Sequence, residues 1–185
     1  MTYQEAVQQY VTRAAAIVCA GTCSSFGGIP ASGPDPTQTN PTQVVSVKTA
    51  TGLNTINVSG CPANPDWVIW TIVQLLLGRT ISLDANGRPI DLYAKDLNGN
   101  PCVSWIYEKC PRKDNGLPEA SRFGQANRCV KKLGCRGPTT KANCEARWNG
   151  IAGQGHWCIG VNAPCHGCTE PGFPGTASFY VEDHD

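Results

Sequence analysis

Residues 134–168 have the sequence GCRGPTTKANCEARWNGIAGQGHWCIGVNAPCHGC, which contains five of the chain's eleven cysteines. These five are Cys135, Cys144, Cys158, Cys165 and Cys168. They lie among glycines, prolines and asparagines, without an apolar periodic run. Such a loop lacks the pattern from which helices and strands build a core. We therefore expect something other than a hydrophobic core to hold the local fold together.

Metal binding explains eleven cysteines better than a framework of disulfides does. The count is odd, whereas a complete set of disulfides needs an even one. The first residues, MTYQEAVQQY, have no basic segment followed by an apolar one, so no export signal is visible, and disulfides persist in oxidising compartments. We expect a cytoplasmic location, with membrane association only through partners. The first hypothesis is an iron–sulfur protein and the second is a zinc-binding protein. A secreted protein stabilised by disulfides is the third hypothesis.

Composition excludes several classes of function. The net charge of +1 gives no electrostatic case for nucleic acid, and the apolar run over 67–77 is shorter than the roughly 20 residues that span a bilayer. No Ser/His/Asp triad, pair of catalytic carboxylates or phosphate-binding glycine loop is evident. Basic residues cluster over 112–141, either as a solvated face or as a docking patch for an acidic redox partner.

The first third of the chain predicts an α/β fold. Apolar residues at helical spacing predict a helix over 3–16, and short apolar runs predict buried parallel strands over 17–20 and 55–58. Each strand is followed by a cysteine, Cys23 or Cys61. Ligands bind at this edge of open α/β sheets, so we expect the two cysteines to lie together. Two strands do not make a stable sheet alone, so we expect either that the chain is a fragment or that another polypeptide completes the layer.

The rest of the chain predicts one long helix and many loops. Asn64 can cap a helix over 65–77 that ends before Gly78, and its apolar surface on nearly all sides predicts burial between layers or against a partner. Short helices are expected near 119–132 and 140–148. The remaining residues should form loops that are held in place by bound metal.

The cysteines form three groups along the chain. The first is Cys23 and Cys61, half of a four-thiolate site, whereas Cys19 is expected to be a small buried hydrophobe. The second group is Cys102, Cys110, Cys129 and Cys135. A structural zinc ion would fit this group nearly as well as an iron–sulfur cluster would. The third contains a CxxC pair and comprises Cys144, Cys158, Cys165 and Cys168. Four thiolates of this kind indicate a metal without naming it.

Two kinds of residue are expected to support the third group. His166 lies between two of its cysteines and is expected to orient a ligand rather than bind the metal. The nearby glycines, among them Gly167, let backbone N–H groups approach sulfur, and such hydrogen bonds tune cluster potentials.

Five segments resemble, in this order, the small subunit of nickel–iron hydrogenases. They are GTCSSFGGIP (21–30), NVSGCPANPDW (57–67), EKCPR (108–112), GCRGPTTKANC (134–144) and PCHGCTEPGFP (164–174). The resemblance covers about residues 14–179. It implies the later part of a flavodoxin-like parallel sheet over 1–62, followed by a mostly irregular iron–sulfur cluster-binding domain with short helices over 63–185. The family's N-terminal portion, with its CxxC pair, is missing.

The resemblance also implies a function. In this family three iron–sulfur clusters relay electrons between a nickel–iron site in a separate large subunit and an external acceptor, a protein or a quinone, during H2 oxidation or H+ reduction. Cys23 and Cys61 match two proximal-cluster ligands. The matches to the distal cluster are Cys110, Cys129 and Cys135, and those to the medial cluster are Cys144, Cys165 and Cys168. The large subunit is then an obligate partner, and another polypeptide supplies the missing CxxC portion.

Three departures from the family pattern affect the ligand sets. Two proximal ligands are absent. Tyr107 stands where many members have a distal histidine ligand, so Cys102 or Tyr107 is the candidate for the fourth position, or the cluster is 3Fe-4S. Cys158 stands where many members have proline and a medial 3Fe-4S cluster, and a fourth thiolate favours 4Fe-4S. The alternative function is a structural zinc or iron–sulfur interaction module without a redox role.

Overall fold

A computed structural model describes residues 1–32, 42–95, 105–147 and 157–175. Of the residues singled out above, Cys102 and residues 148–156 of the opening segment lie outside these ranges. The α-helices are α1 (Tyr3–Val11), α2 (Thr22–Phe26), α3 (Gly28–Ala31), α4 (Val47–Thr51), α5 (Pro65–Leu76), α6 (Ile90–Tyr93), α7 (Trp105–Glu108) and α8 (Cys144–Arg147). The strands are β1 (Val18–Ala20) and β2 (Ile56–Val58), and short 3-10 helices occupy Lys131–Leu133 and Gly137–Thr139.

The two predicted strands form a parallel pair, which confirms the mixed α/β class. Val18 is opposite Ile56 and Ala20 is opposite Val58. Ile56 N–H donates to the Ile17 carbonyl at 2.8 Å, so the pairing begins one residue before β1. Among the described residues the sheet has these two strands only.

Helix α5 has the predicted limits but not the predicted burial. The Asn64 side chain accepts a hydrogen bond from Asp66 N–H at 2.9 Å, and Gly78 follows the helix with a φ of +65°. Trp67 and Thr71 are buried on one side. The opposite side exposes apolar residues at helical spacing, namely Ile69, Ile72, Val73 and Leu76. Burial between layers of this chain is therefore wrong, and nothing in the described part of the chain covers that face.

Two other helix predictions need correction. Helix α1 ends at Val11 and not at residue 16, because residues 12–16 are exposed and gain no burial to offset the cost of ordering them. The helix predicted over 119–132 is wrong. Gly124 and Asn127 have positive φ there, and the Gln125 side chain accepts hydrogen bonds from the backbone N–H groups of Ser121 and Arg122. The helix predicted over 140–148 shortens to α8, with residue 148 outside the described ranges.

The main hydrophobic core reaches into the cysteine-rich segment. Its buried members are Val58, Trp67, Leu92, Tyr93, Ile106, Ala142, Trp157, Ile159 and Cys165. The expectation that no hydrophobic core supports residues 134–168 is therefore wrong. Trp157 and Ile159 show no helical or strand periodicity, but tertiary packing buries them. No helix of the described ranges has both the length and the apolar character to cross a membrane.

Candidate metal centre

Cys23 and Cys61, here called the strand-edge pair, follow the ends of β1 and β2. The turns beyond the strands are joined, because Thr22 N–H donates to the Gly60 carbonyl (3.0 Å) and Gly60 N–H donates to Thr22 Oγ1 (2.8 Å). A Cβ at Gly28, whose φ is +57°, would lie 3.0 Å from Cys23 Sγ, so the close approach favours glycine. Partial burial, and then the neighbouring Cys23, raise the pKa of Cys61. The two exposed thiols thus lie close together at the predicted edge.

Cys144, Cys158, Cys165 and Cys168, here called the cage, surround one cavity of about 130 Å³. Burial raises the pKa of Cys144 well above its ordinary value, and Cys168, Cys165 and Cys158 raise it further. Like charges act in this way only between near neighbours. The fold therefore brings together the four thiols of the third sequence group. Cys61 also lines the cavity, so the strand-edge pair adjoins the cage.

Two hydrogen bonds at its sulfur hold Cys165, one of the cage cysteines, in position. Gly167 N–H donates to Cys165 Sγ at 3.5 Å, and the Cys165 thiol donates to Thr140 Oγ1 at 3.5 Å. Burial raises the pKa of Cys165 to about 12, with these contacts opposing it, and raises that of Cys168 to about 11. Both residues are therefore neutral thiols at neutral pH when no metal is bound. Gly167 has a φ of +72°, so the turn that aims its N–H at sulfur favours glycine.

The wall of the cavity fits an iron–sulfur cluster. Its apolar members include Pro62, Trp67, Ile106, Trp157 and Ile159. The Trp67 Nε1 is buried and has no hydrogen-bond partner among the described residues. A buried N–H without an acceptor is costly, and sulfide or thiolate sulfur is an acceptor that a cluster would bring. His166 also lines the cavity, as expected of a supporting residue, and burial followed by Arg136 lowers its pKa.

Cys110, Cys129 and Cys135, here called the three-cysteine group, lie beside the cage. Cys110 and Cys135 both pack against the main core. Burial raises the pKa of Cys135, backbone N–H groups and the charge of Arg112 lower it, and Cys110 raises it. Cys129 precedes Val130, which belongs to a smaller core that Cys135 also contacts. The structure thus brings the thiols of Cys110 and Cys135 together, and Cys129 lies on the adjacent segment.

The fourth position of the three-cysteine group has one described candidate. Tyr107 lies on α7, one turn before Cys110, and Cys110 N–H donates to its carbonyl at 3.2 Å. The Lys113 ammonium lies 4.8 Å from the centre of the Tyr107 ring. The other candidate, Cys102, lies outside the described residues.

Hydrogen bonds connect the three cysteine sites. Cys165 N–H donates to Cys135 Sγ at 3.2 Å, which joins the cage to the three-cysteine group. The Thr22 hydroxyl donates to the Cys168 carbonyl, which joins the strand-edge pair to the cage. The three sites therefore form one continuous series of contacts through the molecule.

Sequence patterns did not single out two buried arginines near these sites. Arg112 follows Cys110 by two residues, and its guanidinium donates to the Ala163 carbonyl at 2.7 Å. Arg88 pairs with Asp84 (2.8 Å) and Glu170 (3.0 Å). For Arg112, its place two residues after a candidate ligand in the motif EKCPR was the sequence signal that could have predicted a role near the site. Nothing in the turn sequence DANGR predicts the burial of the second.

The described cysteines do not support the disulfide hypothesis. All ten are free thiols, including the buried Cys19, whose burial was expected. Within the described ranges, no three Cys, His, Asp or Glu side chains are grouped for a single metal ion.

Two protein families match separate parts of the chain. The family described as NADH ubiquinone oxidoreductase, 20 Kd subunit, matches residues 2–75. The family that describes the C-terminal part of the NiFe/NiFeSe hydrogenase small subunit matches residues 103–181. Together they cover most of the chain.

Individual relatives agree with these matches. The chain is 34% identical to the periplasmic [NiFe] hydrogenase small subunit of Solidesulfovibrio fructosivorans, over 96% of this chain and 53% of that protein. It is 30% identical to the F420 non-reducing hydrogenase II small subunit of Methanosarcina mazei, over 100% of this chain and 50% of that protein. The chain thus spans about half the length of these curated relatives.

Solved structures show the same likeness. The reduced, active Ni-Fe-Se hydrogenase of Desulfomicrobium baculatum is 34% identical with a TM-score of 0.77, covering 99% of this chain and 66% of that one. The actinobacterial-type NiFe-hydrogenase of Ralstonia eutropha H16 is 29% identical with a TM-score of 0.78, covering 99% and 53%.

Proposed function

Because the chain belongs to the family of nickel–iron hydrogenase small subunits, we propose that it carries electrons between the nickel–iron site of a large subunit and an external acceptor. The observation that carries this proposal is the cage, in which four thiols surround one cavity. Iron–sulfur clusters bound by such thiolates supply reversible one-electron chemistry. The enzyme as a whole is then a hydrogenase that oxidises H2 or reduces H+, and this chain is its non-catalytic subunit.

Each cysteine site takes one cluster in this proposal. Cys144, Cys158, Cys165 and Cys168 hold the medial cluster, and four thiolates favour 4Fe-4S there. The three-cysteine group holds the distal cluster, with Cys102 or Tyr107 in the fourth position, or a 3Fe-4S cluster without it. Cys23 and Cys61 hold the proximal cluster, and its other two thiolates come from a polypeptide segment outside residues 1–185. Residues 1–62 then form the proximal side, and residues 63–185 bind the medial and distal clusters.

The chain's own residues position the sites and exclude water from them. The cavity wall is mostly apolar, and a wall of this kind controls solvent access and dielectric around a metal site. The Cys165 N–H bond to Cys135 Sγ and the Thr22 bond to the Cys168 carbonyl fix the spacing of neighbouring sites. This continuity is what a relay requires, because each transfer then crosses a short, packed segment of protein.

The exposed side of α5 supports the large-subunit partner. Ile69, Ile72, Val73 and Leu76 form an apolar stripe over about two turns of the helix. A stripe of this kind on a helix packs against another surface in a stable protein. We assign that surface to the large subunit, in an obligate interface of roughly 2,000 Å² or more.

Metal and redox analysis of the anaerobically purified complex tests the proposed function. We expect iron with an equivalent amount of acid-labile sulfide, and iron–sulfur spectra that bleach when H2 is added. A Cys144→Ala/Cys168→Ala variant should lose the iron of one cluster, whereas Cys19→Ala, which lies outside the sites, should lose none. Zinc without sulfide would instead identify the interaction-module alternative.

A further inference from the structure

Arg112 is buried beside the three-cysteine group. Its side chain is 4% exposed, and it follows Cys110 by two residues. One terminal nitrogen donates to the Ala163 carbonyl at 2.7 Å, and the other donates to the carbonyl and Oδ1 of Asn162, both at 3.3 Å. All three acceptors are neutral. The guanidinium is therefore held in place by a loop that does not balance its charge.

The charge of Arg112 has no carboxylate partner in the described part of the chain. The ion pairs there involve Arg88, Lys95, Lys113 and Lys132, and none involves Arg112. Its Nε is also buried without a hydrogen-bond partner among the described residues. Arginine does not lose its proton in proteins, so the positive charge is permanent. A buried charge is costly unless an opposite charge lies near it.

Thiols that can become negative lie near Arg112. Arg112 lies close enough to Cys135 to lower the pKa of its thiol, against the larger effect of burial. Cys110 packs on the same core as Cys135. When these cysteines bind iron they do so as thiolates, and the group then acquires the negative charge that Arg112 lacks.

We propose that Arg112 is the buried counter-charge of the three-cysteine group, and that it raises the reduction potential of the cluster bound there. The inference rests on the proposed function, since it assumes an iron–sulfur cluster at this site. Arg112 is a positioning residue and not a ligand. Its charge acts through the low-dielectric interior, whereas an exposed lysine is screened by solvent.

The sign of the effect follows from charge balance. Reduction adds one electron to the cluster without breaking a bond, and dithionite is the electron donor in a titration. The reduced cluster is more negative by one unit, so a fixed positive charge stabilises it more than the oxidised cluster. Removing the charge must lower the potential. Net charge and hydrogen bonds are the recognised determinants of cluster potentials.

A redox titration of the purified complex, followed by electron paramagnetic resonance, tests the inference. Arg112→Met removes the charge and keeps most of the side-chain volume. We expect its distal signal to shift to a lower potential by at least a tenfold change in the reduction equilibrium, which is 59 mV for one electron. Arg112→Lys keeps the charge and should stay near the parent potential.

Two control variants separate charge from structure. Lys131→Met makes the same charge change at an exposed position and should leave the potential unchanged. Asn162→Gly removes one acceptor of Arg112, and its φ of +64° suits glycine, so the loop contact weakens while the charge stays. This variant should also keep the parent potential.

The titrations of these variants distinguish an effect of charge from an effect of structure. Loss of the distal cluster in Arg112→Met but not in Arg112→Lys or Asn162→Gly would support the counter-charge, because lysine keeps the charge and Asn162→Gly weakens only the loop contact. Equal shifts or equal loss in both variants would overturn the inference, as would a shift in Lys131→Met of the same size. A parent complex that holds no iron and sulfide at all would instead reject the proposed function.

Discussion

Burial controls the protonation of the cage thiols before any metal binds. The pKa of Cys165 is raised to about 12 and that of Cys168 to about 11, against an ordinary value of 9.0. Each thiol must lose its proton to bind iron, so cluster assembly releases protons into solution. The thiols of the empty cage therefore stay protonated, and in the proposed function the iron would supply the positive charge that stabilises them as thiolates.

The raised pKa values predict how the stability of the metal-free fold depends on pH. A thiol with a higher pKa in the folded than in the unfolded chain contributes stability that is complete below about pH 9 and is lost as the pH rises through about 11 and 12. We expect the melting temperature of metal-free, reduced protein to fall from about pH 9 upward. Anaerobic thermal unfolding measures this. A Cys165→Ala/Cys168→Ala variant should show a flatter dependence, and an equally steep one would contradict the prediction.

In the proposed function, Cys158 should determine the type of cluster in the cage. It lines the cavity with the other three cysteines, and burial raises its pKa as it raises theirs. Replacing it with alanine leaves three thiolates, so we expect Cys158→Ala to hold a 3Fe-4S medial cluster and about one iron fewer per chain. Electron paramagnetic resonance of the oxidised complex should then gain a medial three-iron signal in addition to any three-iron signal that the distal cluster gives in the parent. Identical three-iron signal intensity and iron content in Cys158→Ala and in the anaerobic parent would falsify the four-thiolate cage.

Short elements were predictable where local sequence and tertiary packing agree. Helix α5 has a capping asparagine, a proline at its first position and a glycine just beyond its end, and its limits were predicted within one residue. Each parallel strand is a short apolar run followed by a turn, and both were found. The segment over 119–132 has charged and apolar residues in helical order, but Gly124 and Asn127 adopt positive φ there. Glycine and asparagine are the residues that adopt such angles most readily, so these two positions were turn signals that the helix prediction underweighted.

The cage itself was predictable only as a set of residues. CxxC spacing identified Cys165 and Cys168, and their order along the chain grouped them with Cys144 and Cys158. The family resemblance added the match of Cys144, Cys165 and Cys168 to the medial cluster. The apolar wall was not foreseen, because Trp67, Ile106 and Trp157 come from three distant segments. Contacts of this kind depend on the tertiary fold and leave no periodic signal in the sequence.

The exposed face of α5 should decide whether the two subunits assemble. Leu76 is 80% exposed in this chain. If this face packs against the large subunit, Leu76→Lys places a charge in an apolar interface and should weaken association at least tenfold, because burying a leucine is worth about 1.5–3 kcal/mol. Co-purification yield and a titration of one subunit with the other measure this.

The control for α5 is the same substitution on another exposed helix surface. Gln9→Lys on α1 adds an identical charge and should leave association unchanged. Neither change should alter the free energy of unfolding of the chain by more than about 0.5 kcal/mol, since both positions are exposed. If the parent, Leu76→Lys and Gln9→Lys proteins associate equally with the large subunit, the exposed face of α5 is not part of the interface.

At the scale of the whole molecule, one buried ion-pair network ties the middle of the chain to the segment of Cys168. Arg88 is 1% exposed, pairs with Asp84 and Glu170, and donates to the Thr169 carbonyl at 3.0 Å. Glu170 also accepts a hydrogen bond from Lys141 N–H at 2.7 Å. Segments about 80 residues apart in sequence are therefore fixed to each other next to the cage, which an apolar core alone would not orient so specifically.

This network makes cluster retention depend on a residue that touches no cysteine. Arg88→Met leaves two partly buried carboxylates unpaired and should lower the free energy of unfolding by about 3 kcal/mol. It also releases Thr169 and Glu170, which follow Cys168, so a chelator should remove the medial iron faster than from the parent. Lys95→Met breaks the exposed Lys95–Asp91 pair instead and should change stability by less than roughly 1 kcal/mol, without changing the rate of iron loss. Equal rates of iron loss from both variants would show that the segment of the cage cysteines retains the iron without the Arg88 network. Faster loss from Arg88→Met alone would show that the Arg88 network is needed to retain it.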